Sequence, residues 1–220
     1  SIVKIYQEHE KKRGIVFARN KCLQIAKKIK PSYIAFIDDD CIVDKNWLKN
    51  IHKLLNKTDV DVITGPQLYK KGKKNNYTYL FEKKYNKKLL RVKWAASNNV
   101  VFKFDILKKN RNIKFDKNLN KFGMGEDQLF FSMINKIGYK IYWSKEILVT
   151  EKLHPHRSNE NWVKERSKRL GILGHYLDIK MYGNFMGYLI NYMKSFYFLF
   201  LGIFYYVYIF NVNRNLDFIN

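Results

Sequence analysis

The sequence predicts an α/β fold: a mostly parallel sheet flanked by helices, with a hydrophobic helical tail at the C-terminus. Three observations carry that reading. Apolar runs of strand length alternate with segments whose apolar residues recur at helical spacing, the rhythm of strand, helix, strand that a parallel sheet imposes. The run Tyr33-Ile34-Ala35-Phe36-Ile37 leads straight into Asp38-Asp39-Asp40. From Phe185 to Phe210 the only charged residue is Lys194.

Taken in order, Ile2, Val3 and Ile5 suit a short strand over Ser1–Tyr6, and a charged turn follows. Arg19-Asn20 opens a helix whose Cys22, Ile25, Ala26 and Ile29 share one face, ended by Pro31. The run at 33–37 has the length of a buried strand. Asp44 is placed to cap the next helix, where Trp47, Leu48, Ile51, Leu54 and Leu55 form an apolar stripe. Residues 60–64 form a second strand closed by Gly65-Pro66, and the basic, Tyr-rich stretch 67–93 reads as a loop with a short helix near 79–88. Trp94-Ala95-Ala96-Ser97-Asn98-Asn99 then leads into a strand. Its small residues and paired amides suit either a backbone that approaches a ligand or a plain turn. After Gly123 and Gly125, Glu126-Asp127 starts a helix continued by Phe130, Met133, Ile134 and Ile137 and stopped by Gly138. Strands near 140–143 and 147–150 follow.

The three acids at 38–40 have two physical readings. Adjacent carboxylates repel, so a divalent cation held at the strand end would relieve them. An exposed acidic turn before a helix is the alternative. Glu126 and Asp127 likewise suit either chemistry or the electrostatics of a helix N-terminus.

At 220 residues the chain can bury one substantial core without disulfides. Cys22 and Cys41 lack metal-site spacing and read as buried thiols of a reducing compartment. The net charge is +23, and residues 183–220 carry only Lys194, Arg214 and Asp217, which leaves +22 on residues 1–182. So basic a body favours a polyanionic neighbour: nucleic acid, an anionic membrane or a phosphorylated small molecule. The excess of Lys, Asn and Ile is equally what compositional bias would produce.

As a helix, residues 185–210 would span about 39 Å against a hydrocarbon core of about 30 Å, while Ser195–Phe210 alone reaches about 24 Å. The stretch is apolar all round and rich in Tyr and Phe, which suits a membrane-inserted or in-plane anchor. A buried helix or a dimer contact is the alternative. These patterns divide the chain into a body, 1–182, and a membrane-associating segment, 183–220.

Gly14 with Ala18-Arg19-Asn20, Phe36-Ile37-Asp38-Asp39-Asp40-Cys41 with Trp47-Leu48, Asn98-Asn99, Phe115-Asp116, Gly125-Glu126-Asp127 with Leu129-Phe130, Gly138 and Trp143 occur in this order over residues 3–170. Taken together they resemble the family 2 glycosyltransferases, inverting enzymes with a GT-A (Rossmann-like) fold. The resemblance implies a nucleotide-sugar donor and a manganese or magnesium ion. With the lysine-rich part before the apolar tail expected on the cytoplasmic side, the leading expectation is transfer to a glycan or lipid-linked acceptor at the cytoplasmic face of the cell membrane. Asp38 and Asp40 match the family's D-x-D pair, which holds the metal against the donor diphosphate, with Arg19 and Asp39 beside the donor. A metal there neutralises a diphosphate leaving group without proton transfer. Asp127 matches the general base that takes a proton from the acceptor hydroxyl, a role open to a carboxylate ionised at neutral pH. Glu126 is assigned beside it, and Trp94, Asn98, Asn99 and Glu126 to the acceptor. His154 matches a further metal ligand used by some relatives, with His156 as its competitor; Arg157 suits a phosphate or a carboxylate partner, and Arg19 suits a structural role as well as a donor contact.

The family's domain normally opens with two strands that precede the one matched by Ser1–Tyr6, so the resemblance implies an N-terminally truncated domain. A catalytically inactive membrane-associated scaffold of the same fold is therefore a second reading. A basic nucleic-acid-binding module is a third, but no basic patch carries aromatics at a recognisable motif spacing, and no nucleic acid is expected.

Overall fold

A computed structural model describes residues 4–69, 88–152 and 159–217, with side chains described through Tyr208. Its elements are α1 (Ile15–Ile29), β1 (Tyr33–Ile37), β2 (Cys41–Val43), α2 (Trp47–Lys57), β3 (Val62–Thr64), β4 (Gln67–Tyr69), β5 (Leu89–Val92), β6 (Asn99–Lys103), α3 (Asp105–Lys109), a 3-10 turn (Lys117–Phe122), α4 (Glu126–Lys136), β7 (Ile141–Ser144), β8 (Val149–Glu151), α5 (Glu160–Tyr182) and α6 (Asn184–Asp217). The chain divides into two compact units, residues 1–170 and 171–220.

The first unit is built on a five-stranded sheet in the order β1-β6-β3-β7-β5. It is mixed, which corrects the expectation of a mostly parallel sheet. β1, β3 and β7 share one direction, but β6 lies antiparallel between β1 and β3, and β5 runs antiparallel to β7. The strand-helix-strand rhythm fixes direction, not adjacency. β6 takes the inner position because Asn99–Phe102 are all buried, and a strand with no exposed face needs cover on both faces. β1 alternates instead: Ile34 is buried while Tyr33 and Ile37 are exposed, so it is not the buried strand its run suggests.

Strand alternation sends Val62, Val100 and Phe102 to one face and Ile63 and Val101 to the other. On the first face they pack with Val16 and Leu23 of α1 and Phe130, Phe131 and Ile134 of α4; on the second with Trp47 and Ile51 of α2. The buried face of α1 is Val16, Arg19, Leu23 and Ala26, rotated from the expected stripe, and both Cys22 and Ile29 are exposed. Leu48 is 73% exposed, and Met133 and Ile137 also stay outside. Asp44 accepts from the Asn46 N–H at 2.8 Å, so it orders the turn before α2 rather than capping the helix. Residues 4–6 form no strand, and residues 1–3, positions 79–87 of the proposed helix, and His154, His156 and Arg157 lie outside the described residues.

A second, three-stranded sheet, β2-β8-β4, pairs Cys41 with Glu151 across an antiparallel register. In the 171–220 unit, the C-terminal part of α5 meets α6 across Gly183, whose φ is 82°. A Cβ on Gly187 would stand 2.6 Å from the Ile179 backbone, so that crossing needs glycine. Lys194 pairs with Asp178, which neutralises the one charge of the apolar stretch. Among the described residues no helix is long and apolar enough to cross a membrane. Phe185, Tyr192, Phe196, Phe200, Phe204 and Tyr206 of α6 are nonetheless exposed.

Candidate active site

The site grows from the end of β1. The Cys41 N–H donates to the Asp38 carbonyl at 3.1 Å, closing a tight turn that holds Asp38, Asp39 and Asp40 between β1 and β2. Asp39 faces solvent, whereas Asp38 and Asp40 are partly covered. The opposing wall is the start of α4. Gly125 has φ 84°, a left-handed conformation that glycine adopts without a Cβ clash, and it turns the chain into Glu126 and Asp127. Asp127 accepts from the Gln128 N–H at 2.7 Å through Oδ1 and from the Ser97 N–H at 3.2 Å through Oδ2. The first-turn reading of this acid and the chemical one therefore meet in one residue: it uses a helix-terminal N–H that has no intrahelical partner, and it faces the Asp38 turn.

Arg19 lies between the two walls. It is 7% exposed, and its Nη2 donates to Asp38 Oδ1 at 3.2 Å while its Nη1 donates to Glu126 Oε1. Burial raises the Asp38 carboxyl above its ordinary value; Arg19 opposes this, and the negative charges of Asp40 and Asp127 add to it. Glu126, 4% exposed, is also raised by burial and then by Asp127, again against Arg19. Acids distant in sequence thus share one electrostatic neighbourhood.

Packing explains why α1 and α4 meet here. Asn20 donates to the Phe115 carbonyl at 3.0 Å and accepts from its N–H at 2.9 Å, clasping α1 to the segment before α4. Phe115 stacks on Phe130 of α4 at 4.2 Å between centroids, and Asp116 caps the 3-10 turn by accepting from the Asn118 N–H.

Two residues expected at the acceptor are placed otherwise. Asn99 is fully buried: it accepts from Trp47 Nε1 at 2.9 Å and donates to the carbonyls of Ile147 at 2.8 Å and Pro66 at 3.3 Å. Both amide hydrogens are spent on backbone, so Asn99 ties α2 and β6 to the loop before β8. Glu126 is committed to Arg19 inside the protein. Asn98 donates to Gln67, and Trp94 packs, partly buried, against the core of the α1 and α4 face.

One residue escaped the sequence reading. Ligand atoms of Asp40, Cys41 and Glu151 lie within 4.8 Å of one another, and Glu151 is 3% exposed. Its signal was an acid ending a strand, as at Asp38, but the register that sets it beside Cys41 is not visible in sequence. Burial, then Asp40, Glu151 and Asp38, push the Cys41 thiol up to about 12, so sulfur there is a neutral thiol and the charged donors are carboxylate oxygens. That donor set fits a hard cation such as manganese or magnesium better than a thiolate-seeking metal. A cleft of about 430 Å³ lies between residues 109–114 and Phe130, Met133 and Ile137, and none of these acids lines it.

The model of glycosyl transferase family 2 matches residues 2–114, just over half of the chain. The chain belongs to glycosyl transferase family 2. The matched region contains Arg19 and the Asp38–Asp40 turn and ends before Glu126 and Asp127. Among solved structures, the chain is similar to the mannosyltransferase PcManGT from Pyrobaculum calidifontis, solved in complex with GDP-Man and Mn2+, at 17% identity and TM-score 0.50 over 84% of this chain and 53% of that one. It is also similar to S. aureus TarS 1-349, at 16% identity and TM-score 0.50 over 76% of this chain and 44% of that one. At this identity the likeness is one of fold, and the chain spans about half the length of either relative. No curated protein matches the sequence.

Proposed function

We propose that the chain transfers a sugar from a nucleotide-sugar donor to a glycan or lipid-linked acceptor, with inversion and with a divalent metal. The observation that carries this is the convergence of the Asp38–Asp40 turn after β1 and the Glu126-Asp127 start of α4, two distant segments, around the Arg19 guanidinium. Asp127 is the base: two backbone N–H groups fix its carboxylate, and each oxygen keeps a second lone pair for an acceptor hydroxyl. As that hydroxyl attacks the anomeric carbon, Asp127 receives its proton and the nucleoside diphosphate leaves. Asp40 and Asp38, with Glu151, would hold the metal, which supplies charge neutralisation for the leaving diphosphate when bound. PcManGT was solved with a nucleotide sugar and Mn2+, and the carboxylate donor set here is compatible with the same kind of ion. The test is donor turnover by the purified chain with Mn2+ or Mg2+ and with chelator. Release of nucleoside diphosphate that requires the metal supports the reading; equal release in chelator overturns it.

We further propose that α6 associates with the cytoplasmic face of the cell membrane. Its large apolar side chains are exposed between Phe185 and Tyr208, and the body of the chain is strongly basic. Co-sedimentation of the full chain with anionic vesicles should be lost when Phe196→Asp, Phe200→Asp and Phe204→Asp are combined. Unchanged co-sedimentation would remove α6 as the contact.

A further inference from the structure

We propose that Arg19 is the positioning residue that ties the metal-and-donor wall of the site to the base wall, rather than a contact to the donor. This rests on the function proposed above and goes further by giving the buried ion-pair chain Glu126–Arg19–Asp38 a role in it. Arg19 belongs to α1, Asp38 follows β1 and Glu126 begins α4, so one guanidinium joins three elements. The fork geometry of arginine allows it: Nη1 serves one carboxylate and Nη2 the other. With each terminal nitrogen bonded to a carboxylate and the residue 7% exposed, little of the group is offered to a ligand. The guanidinium carbon lies over the Phe115 ring, 6.0 Å from its centroid, and that ring stacks on Phe130 of α4. Glu126 Oε2 is buried and has no hydrogen-bond partner among the described residues, so Arg19 is the contact through which this carboxylate is held.

Two consequences follow that a simple stabilising role does not share. Asp127 is the neighbour of Glu126 in the first turn of α4, so loosening the Arg19 tie displaces the base relative to the donor wall. A displacement of about 1 Å at a reacting group can cost on the order of 100-fold in turnover. Arg19 also places a positive charge on Asp38, where it competes with a bound cation. Removing that charge should tighten Mn2+ binding, roughly threefold to tenfold, while turnover falls.

The test compares the full-length wild type with Arg19→Lys and Arg19→Met, each checked for folding by circular dichroism. Mn2+ affinity is measured without donor, by electron paramagnetic resonance of the free ion, and turnover is measured with donor and acceptor. The expected result is opposite movement in Arg19→Met: tighter Mn2+ and kcat lower by roughly 100-fold with donor KM little changed. Arg19→Lys, which keeps one charge but loses the fork, should recover only part of kcat. Mn2+ binding that weakens in step with kcat in a folded Arg19→Met would overturn the proposal, as would wild-type kcat in Arg19→Lys or a rise in donor KM that accounts for the whole loss. If the wild type shows no metal-dependent turnover, the proposed function fails while the Mn2+ comparison still decides the Arg19–Asp38 competition.

Discussion

The Ser97 backbone N–H donates to Asp127 Oδ2 at 3.2 Å, across thirty residues of sequence. Together with the Gln128 N–H on Oδ1, this fixes both oxygens of one carboxylate with main-chain donors, which among substitutions at 97 or 128 only proline removes outright. The turn before β6 and the first turn of α4 are thereby locked to each other.

Asp127→Asn keeps one acceptor oxygen for one of those N–H groups, gives up the bond to the other, and removes the ability to take a proton. Turnover is expected to drop by about 10²- to 10⁴-fold, with Mn2+ and donor binding retained. Turnover within threefold of wild type, measured by nucleoside diphosphate release, would sink the assignment of the base.

At the metal side, Asp40→Ala and Glu151→Gln should each weaken Mn2+ binding and raise the metal concentration needed for half-maximal turnover. The size to look for is about 10-fold or more for a lost carboxylate ligand. A titration curve unchanged in Glu151→Gln would confine the ion to the Asp38–Asp40 turn.

Asn99→Ala tests whether that amide serves the fold or the acceptor. The change strands Trp47 Nε1 and the Ile147 carbonyl in the interior, at a cost of about 2 kcal/mol or more. For a domain of this size that is a fall of roughly 4–8 °C in Tm. Acceptor KM should be unaltered below the melting range; a raised acceptor KM with unchanged Tm would return Asn99 to the acceptor site.

Stability should also depend on pH through Glu126. Its carboxyl is raised in the folded protein, so the folded state binds the proton more tightly than the unfolded chain. That contribution is complete below the unfolded value of about 4.5 and is lost as pH rises through the higher folded value. Relative to Glu126→Gln, the wild-type Tm should therefore decline as pH increases from 4 upward. A difference between the two that is flat with pH would show that Glu126 does not titrate this way.

Much of this was legible in the chain. Apolar runs ending in acids located β1 and its turn, Gly123 and Gly125 before a pair of acids located the start of α4, and the spaced motifs identified the family. Local spacing encodes these because strand and helix periods, turn chemistry and capping act over a few residues. Sheet order was not legible. The insertion of β6 between β1 and β3 depends on which strand can be covered on both faces, a property of the whole packing.

The same division runs through the site. Sequence alone determined that carboxylates would stand at the end of β1 and at the head of α4, since the chemistry of each lies within a few neighbouring residues. Only the tertiary structure decided how they are used: it spent Asn99 on the backbone, set Glu151 beside Asp40 through the β2–β8 register, and placed Arg19 between Asp38 and Glu126. Those outcomes are pairings across long stretches of chain, which are selected by burial and charge balance in the assembled core and leave no periodic mark on the sequence.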